Sequence, residues 1–246
     1  MARGTGKEFM ERTKYENMGS SDQSRGLPQP PLELPYDKSR TAVDLPKPPK
    51  VSVGDVSLRK AIEDRRSVRE YSDAPLTLEE LSWLLWSTQG VREVAGRNAT
   101  LRNVPSAGAR HAFETYVLVN RVDSLKPGIY RFLATEHKLV EVETGESMAE
   151  KVSAACLGQR FVMASAATFI WTAVPYRMAW RYMERGYRYM HVDVGHACQN
   201  LYLAAEAVGS GACAIGAFND DQLNELLNID GEEHFAIYVA TVGKKG

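Results

Sequence analysis

The sequence predicts an α+β body of about residues 51–246, preceded by an extended arm over residues 1–50. Two observations carry the fold class. Helical periodicity comes first, β-branched and aromatic runs sit in the middle, and the two intermix only afterwards; a doubly wound parallel sheet would alternate strand and helix throughout. The chain also has 246 residues, 44% of them hydrophobic and 25% charged, enough for a water-soluble domain to bury a real core.

The arm is polar and carries Pro28, Pro30, Pro31, Pro35, Pro46, Pro48 and Pro49. It reads as a short leading helix and then extended chain with little core of its own. Such a segment is costly to order alone, so it is expected on another surface, with a partner subunit as the candidate. In the body, Leu58, Ala61 and Ile62 follow i, i+3, i+4 spacing, a helix ending in Arg65-Arg66-Ser67-Val68-Arg69. Thr77-Leu78-Glu79-Glu80 is a capping box that opens a helix through Leu81, Leu84, Leu85 and Thr88, stopped by Gly90. Residues 91–104 read as a polar loop. Residues 115–119 are β-branched and aromatic, hence a strand. Residues 128–132 and 138–142 form a hairpin, 147–157 a helix and 168–174 a buried strand. Residues 176–191 are aromatic and basic without a clear period. From residue 193 to 208 the apolar positions cover most of a helix, which should be central or at a subunit interface. A short strand at 212–217, a helix capped by Asn219 and a final strand at 235–242 complete the series.

The formal net charge of -1 provides no global field for nucleic acid or an anionic membrane. The most apolar run, residues 164–174, is too short to span a bilayer, and residues 1–14 lack an apolar signal region. A cytoplasmic protein is expected. Cys156, Cys198 and Cys213 form no Cys-x-x-Cys pair, so free buried thiols are expected rather than disulfides or structural zinc. His191 and His196 flank Asp193 but are five apart, on different faces of a helix, which disfavours a metal. Neither a Gly-x-Ser-x-Gly nucleophile elbow nor a Walker-type loop occurs. No metal ligand and no obligatory catalytic side chain is assigned.

Three segments could hold a ligand. Arg65, Arg66 and Arg69 repel one another unless an anion or acids stand between them. A phosphate monoester suits them, with Ser67 adding a hydroxyl; a solvated cluster balanced by Glu63, Asp64 and Glu70 is the alternative. Pro105-Ser106-Ala107-Gly108 lets backbone approach a flat ligand, or is simply a turn. Gly211 to Phe218 could aim free amides at a ring edge, or is a tight strand exit without the dinucleotide fingerprint.

In order along the chain, Arg65 to Tyr71, Leu76 to Leu81, Pro105 to Gly108 and Gly211 to Phe218 resemble the nitroreductase-like flavoprotein superfamily over about residues 55–246. Ser21-Asp22-Gln23 with Gln29 to Pro35, and Arg185-Gly186-Tyr187-Arg188-Tyr189 with Asp193 to His196, resemble its SagB-type dehydrogenase branch, which includes azoline-oxidising enzymes. The resemblance implies a sandwich with a central mixed or antiparallel sheet flanked by helices, an intertwined homodimer, and FMN at the dimer interface. Arg65, Arg66, Ser67 and Arg69 would hold the phosphate and the pyrimidine edge. Pro105, Ser106, Ala107 and Gly108 would approach from the other subunit. Ile215, Gly216 and Ala217 would offer amides near N5 and O4, and Lys244 or Lys245 would reach the phosphate. It further implies NAD(P)H as co-substrate and a ping-pong reduction through flavin N5 of a nitro, quinone or related small acceptor; the balanced charge and the lack of an apolar span add the expectation of no nucleic-acid or membrane partner. The alternatives are a SagB-type dehydrogenase of a peptide or small metabolite, and a non-catalytic FMN-binding protein. Two positions depart from the pattern. Ala109 stands where nitroreductases often have Asn, leaving Arg110 or His111 as substitutes, and residues 176–200 contain no lysine for the Lys-Tyr base of azoline oxidation.

Overall fold

The computed structural model describes residues 4–48, 51–96 and 98–246; Pro49 of the arm lies outside them. Strand alternation sorts side chains into two cores. In β4 (Phe113–Val119), Phe113, Val117 and Val119 face one core and Tyr116 and Leu118 the other. In β7 (Ala167–Ala173), Phe169 and Trp171 face the first and Ile170 the second, so both strands are buried throughout.

These two strands lie at the centre of a seven-stranded sheet. From one edge its order is β1 (Ala42–Asp44), β6 (Lys138–Thr144), β5 (Gly128–Leu133), β4, β7, β9 (Phe235–Lys244) and β8 (Ser210–Ile215). Every pairing is antiparallel, so the sheet is antiparallel rather than mixed. Helices α3 (Leu78–Gln89) and α7 (Arg185–Glu206) cover the first core. Helices α4 (Met148–Ala155), α5 (Phe161–Ala164) and α8 (Asp220–Leu226) cover the second. The α+β sandwich is therefore as expected.

The capping box forms as read: Thr77 Oγ1 accepts from the Glu80 amide at 3.1 Å, and Glu80 Oε2 from the Thr77 amide at 2.9 Å. Three readings need correction. Residues 91–104 are not a plain loop but contain a hairpin, β2 (Val91–Ala95) with β3 (Ala99–Arg102), whose polar composition hid it. Residues 176–191 are helical, forming α6 (Pro175–Tyr182) and the first turns of α7, which starts eight residues before the apolar pattern at 193. The arm contains α1 (Thr5–Arg12) as expected, but it also adds edge strand β1, and it lies on this chain's own body.

Candidate functional site

Helix α2 (Leu58–Asp64) leads into the arginine cluster. Its C-cap, Arg65, turns the chain out, and the Val68 amide donates to the Ala212 carbonyl at 2.9 Å, setting residues 67–68 beside edge strand β8. The approach is close: a Cβ on Gly211 would stand 2.4 Å from Val68 Cγ2. Tyr71 pins the far end, donating from its hydroxyl to the Val68 carbonyl at 2.7 Å. Burial pushes that phenol above its ordinary value.

Among the described residues, Arg65, Arg66 and Arg69 make no ion pair. Arg65 lies 5.3 Å over the Tyr202 ring and Arg69 5.9 Å over Phe161, while Arg66 donates to the carbonyls of Glu63 and Arg65 at 2.8 Å each. Two of the acids that could balance them are engaged elsewhere: Glu63 pairs with Arg59 at 2.8 Å and Asp64 with Lys60 at 2.5 Å. Three guanidiniums thus share a few residues of backbone without a carboxylate partner. Ser67 Oγ stands 3.1 Å from the Tyr202 hydroxyl, which accepts from the Ala214 amide at 2.8 Å, so the cluster and β8 are joined through one phenol.

Strand β8 ends at buried Ile215, and Gly216 and Ala217 are exposed. A Cβ on Gly216 would meet nothing within 4 Å. The amides of Gly216 and Ala217 donate to no group among the described residues. An open cleft of about 680 Å³ runs past Val68, Arg69, Glu70, Tyr71 and Lys245; Glu70 makes no ion pair among the described residues. Lys244 and Lys245 are already engaged. Lys244 Nζ reaches Glu80 at 2.5 Å and the Val208 carbonyl at 2.7 Å, and Lys245 Nζ reaches Glu206 at 2.6 Å.

The Pro105 to Gly108 turn stands apart from this group. Asp193 on α7 accepts from the Ala107 amide at 3.1 Å, and Ser106 Oγ accepts from the His111 amide at 2.9 Å. Burial raises the Asp193 carboxyl above its ordinary value. Gly108, at φ +58°, packs so tightly that a Cβ would lie 2.4 Å from the Tyr182 hydroxyl. Asp193 and Tyr202, nine positions apart on α7, are separated by about 14 Å of helix axis. A single chain therefore keeps the turn and the arginine cluster separate. Neither proposed substitute for the missing Asn is open: Arg110 stacks 5.4 Å over Trp180, and burial, with Arg102 nearby, depresses His111 to about 3.

Sequence reading missed a buried charge cluster beneath the arm. Glu114 Oε1 meets Arg177 Nη2 at 2.5 Å, and Glu114 Oε2 meets Arg131 Nη2 at 3.0 Å. Burial alone would raise this carboxyl, but Arg177 and then Arg131 outweigh it and hold it below its ordinary value. The same groups grip the arm's main chain. Leu34 N–H donates to Glu114 at 2.8 Å, Arg131 donates to the carbonyls of Leu34 at 2.6 Å and Pro35 at 3.0 Å, and Arg177 to that of Pro31 at 2.8 Å. Further on, Trp180 donates to the Leu27 carbonyl at 3.0 Å and Arg185 to that of Thr13 at 2.9 Å. The Pro-rich leader and the arginine-rich start of α7, read as separate motifs, thus both serve to seat the arm. A charged residue inside a buried strand run, Glu114 or Arg131, was the available signal.

The nitroreductase family model matches residues 62–244. A protein of Methanocaldococcus jannaschii, provisionally named a nitroreductase, is 35% identical over 78% of this chain and 93% of its own length. The trifolitoxin-processing protein TfxB of Rhizobium leguminosarum bv. trifolii is 31% identical over 61% of this chain, which spans only 41% of that protein. Among solved structures, a provisionally named nitroreductase from Anabaena variabilis superposes with a TM-score of 0.69 at 27% identity, over 85% of this chain and 42% of that one. No helix among the described residues is long and apolar enough to cross a membrane.

Proposed function

This chain belongs to the nitroreductase family, and from that premise we propose that it is an FMN-dependent oxidoreductase that passes electrons from NAD(P)H to a nitro, quinone or related small acceptor. The observation that carries the cofactor assignment is the set of Arg65, Arg66 and Arg69 without a carboxylate partner, beside an open strand exit with undonated amides at Gly216 and Ala217. A phosphate monoester would neutralise the guanidiniums with charge-assisted bonds, and Ser67 would add a hydroxyl donor. The amides at 216 and 217 would stabilise negative charge on a reduced ring edge without any side chain acting as acid or base. Bound FMN supplies hydride chemistry at N5 in two separate half-reactions, so ping-pong kinetics are expected. Lys244 and Lys245 would reach a phosphate only by leaving Glu80 and Glu206, which makes the arginines the primary holders.

The separation of Ser106 and Gly108 from the arginines within one chain supports a homodimer. A partner's turn, held in shape by Asp193, would cover the flavin face that the first chain leaves open. The likeness to the trifolitoxin-processing protein supports a second reading, a dehydrogenase of a peptide or small metabolite. An absorbance spectrum before and after anaerobic NADH or NADPH separates the two. Flavin bands near ~450 nm that bleach support the first reading. Bands that persist until an organic donor is added support the second, and a protein that takes up no FMN refutes both.

A further inference from the structure

We infer, resting on the flavin and homodimer readings above, that Arg110 and Trp180 are positioning residues: they hold the turn at residues 106–111 in the shape that meets the flavin, and they make that hold depend on the seated arm. The turn is strained. Gly108, Ala109 and His111 stand at φ +58°, +53° and +45°, and two of these three left-handed residues carry a Cβ. Such backbone costs energy and persists only where surrounding contacts fix it.

Arg110 supplies two of those contacts. Its amide donates to the Ala107 carbonyl at 3.2 Å, and its Nε donates to the Gly108 carbonyl at 3.1 Å. The Ala107 carbonyl and the Gly108 amide belong to one planar trans peptide and point opposite ways, so fixing the first aims the second outward. The other amides are spent: Ala107 on Asp193, Ala109 on the Ser106 carbonyl and His111 on Ser106 Oγ. Ser106 and Gly108 are left, donating to no group among the described residues, and Gly108 is exposed. These are the donors the turn can offer a flavin, and they favour the reduced ring, which carries more negative charge.

The Arg110 side chain is buried 5.4 Å over the Trp180 ring, where burial and Arg181 both disfavour its charge. A guanidinium held against that cost serves the shape of the turn rather than the stability of the fold. Trp180 is in turn held by the arm. Its Nε1 donates to the Leu27 carbonyl at 3.0 Å, and its carbonyl accepts from the Gln23 amide at 2.9 Å. The arm therefore steadies the platform on which Arg110 lies, and a site is only as well placed as the groups that support it.

The test is anaerobic potentiometric titration of the full-length, FMN-loaded protein, with flavin dissociation measured alongside. Arg110→Gln is expected to bind FMN about tenfold more weakly. It should also lower the midpoint potential by about 30 mV, the two-electron equivalent of a tenfold lost preference for reduced over oxidised flavin, at a melting temperature near that of the wild type. Arg110→Lys keeps a donor and a charge over Trp180 and should recover most of both. Trp180→Phe keeps an aromatic platform but loses the bond to Leu27. Trypsin should then cut after Arg25, which lies between the two arm contacts, and the potential should move as in Arg110→Gln. An unchanged potential in Arg110→Gln, or equal losses in Arg110→Gln and Arg110→Lys, overturns the positioning role; bleaching by NAD(P)H in those same proteins would spare the oxidoreductase reading. An arm freed by Trp180→Phe with the potential unmoved overturns the link to the arm. A wild type that takes up no FMN sinks the flavin reading itself, and this inference with it.

Discussion

Replacing Glu114 by Gln keeps the side chain's shape and removes its charge, leaving Arg131 and Arg177 facing each other in the interior. The side chains of Glu114 and Arg177 are 2% exposed and that of Arg131 is 9% exposed. Removing one member of a buried charge group costs about 3–5 kcal/mol, because the remaining charges keep their desolvation without a partner. For a chain of this size, about 2–4 °C of melting temperature accompanies each kcal/mol, so E114Q should melt roughly 6–20 °C below the wild type. Glu114 also receives the Leu34 amide, and its two arginines hold the carbonyls of Pro31, Leu34 and Pro35. The arm should therefore loosen, and trypsin should cut after Arg25, Lys38 or Arg40 under conditions where the wild type resists. The pH dependence has a definite sign. The folded pKa of Glu114 lies below its ordinary value of 4.5, so between the two values the unfolded chain binds more protons than the native one. The stabilisation is fully present above 4.5, is lost as pH falls through the depressed folded value, and should be absent from E114Q. Calorimetry showing a drop of less than about 3 °C, with the arm equally protected, would refute this account of how the arm is held.

Three further outcomes are expected. Arg66→Ala should weaken FMN binding by about 1.5–3 kcal/mol, read as flavin retained after dialysis; unchanged retention counts against the phosphate assignment. Gly216→Ala should leave the flavin-free protein's melting temperature unchanged, since its Cβ meets nothing within 4 Å, yet reduce flavin uptake if the ring edge lies there; normal uptake would move the ring elsewhere. His234, depressed mainly by burial to about 4, and His111, to about 3, are both neutral in the native state. Because these folded values lie below the ordinary 6.5, stability should fall as pH drops from 6.5 towards 4, by about 1.4 kcal/mol per pH unit for each group. His234→Gln should flatten that slope, and denaturant titrations at several pH values would reveal it if it does not.

Where neighbours in sequence decide the structure, the reading succeeded. The capping box at Thr77 needs only residues 77–80, and the strands at 115–119 and 168–174 need only their own side chains to be recognised. It failed where distant groups decide. The turns of α7 before Asp193 carry Arg185, Arg188 and Tyr189, whose partners are mainly arm backbone and one another, so no apolar period marks them. Strand β1 is three residues long and owes its existence to the edge of β6. The candidate site was partly legible: the segment around Arg65 and the Gly211 strand do meet, through Val68, Ala212 and Tyr202, and nothing in the spacing of either announces the other. That Glu63 and Asp64 are taken by Arg59 and Lys60 is a matter of helix i, i+4 geometry, and it could have been read from the sequence.

The way the arm is seated also fixes when it can be seated. Leu34 binds groups 80 and 97 residues further along, and Thr13 binds one 175 residues further. During synthesis the arm leaves the ribosome long before its anchors exist, and it must wait in water. Its polar, proline-rich composition suits that wait, because it offers little for a nascent chain to stick to. Only when β4, β5 and α6 have come together do the carbonyls of Pro31, Leu34 and Pro35 find donors, so a segment made before its anchors is among the last to be fastened.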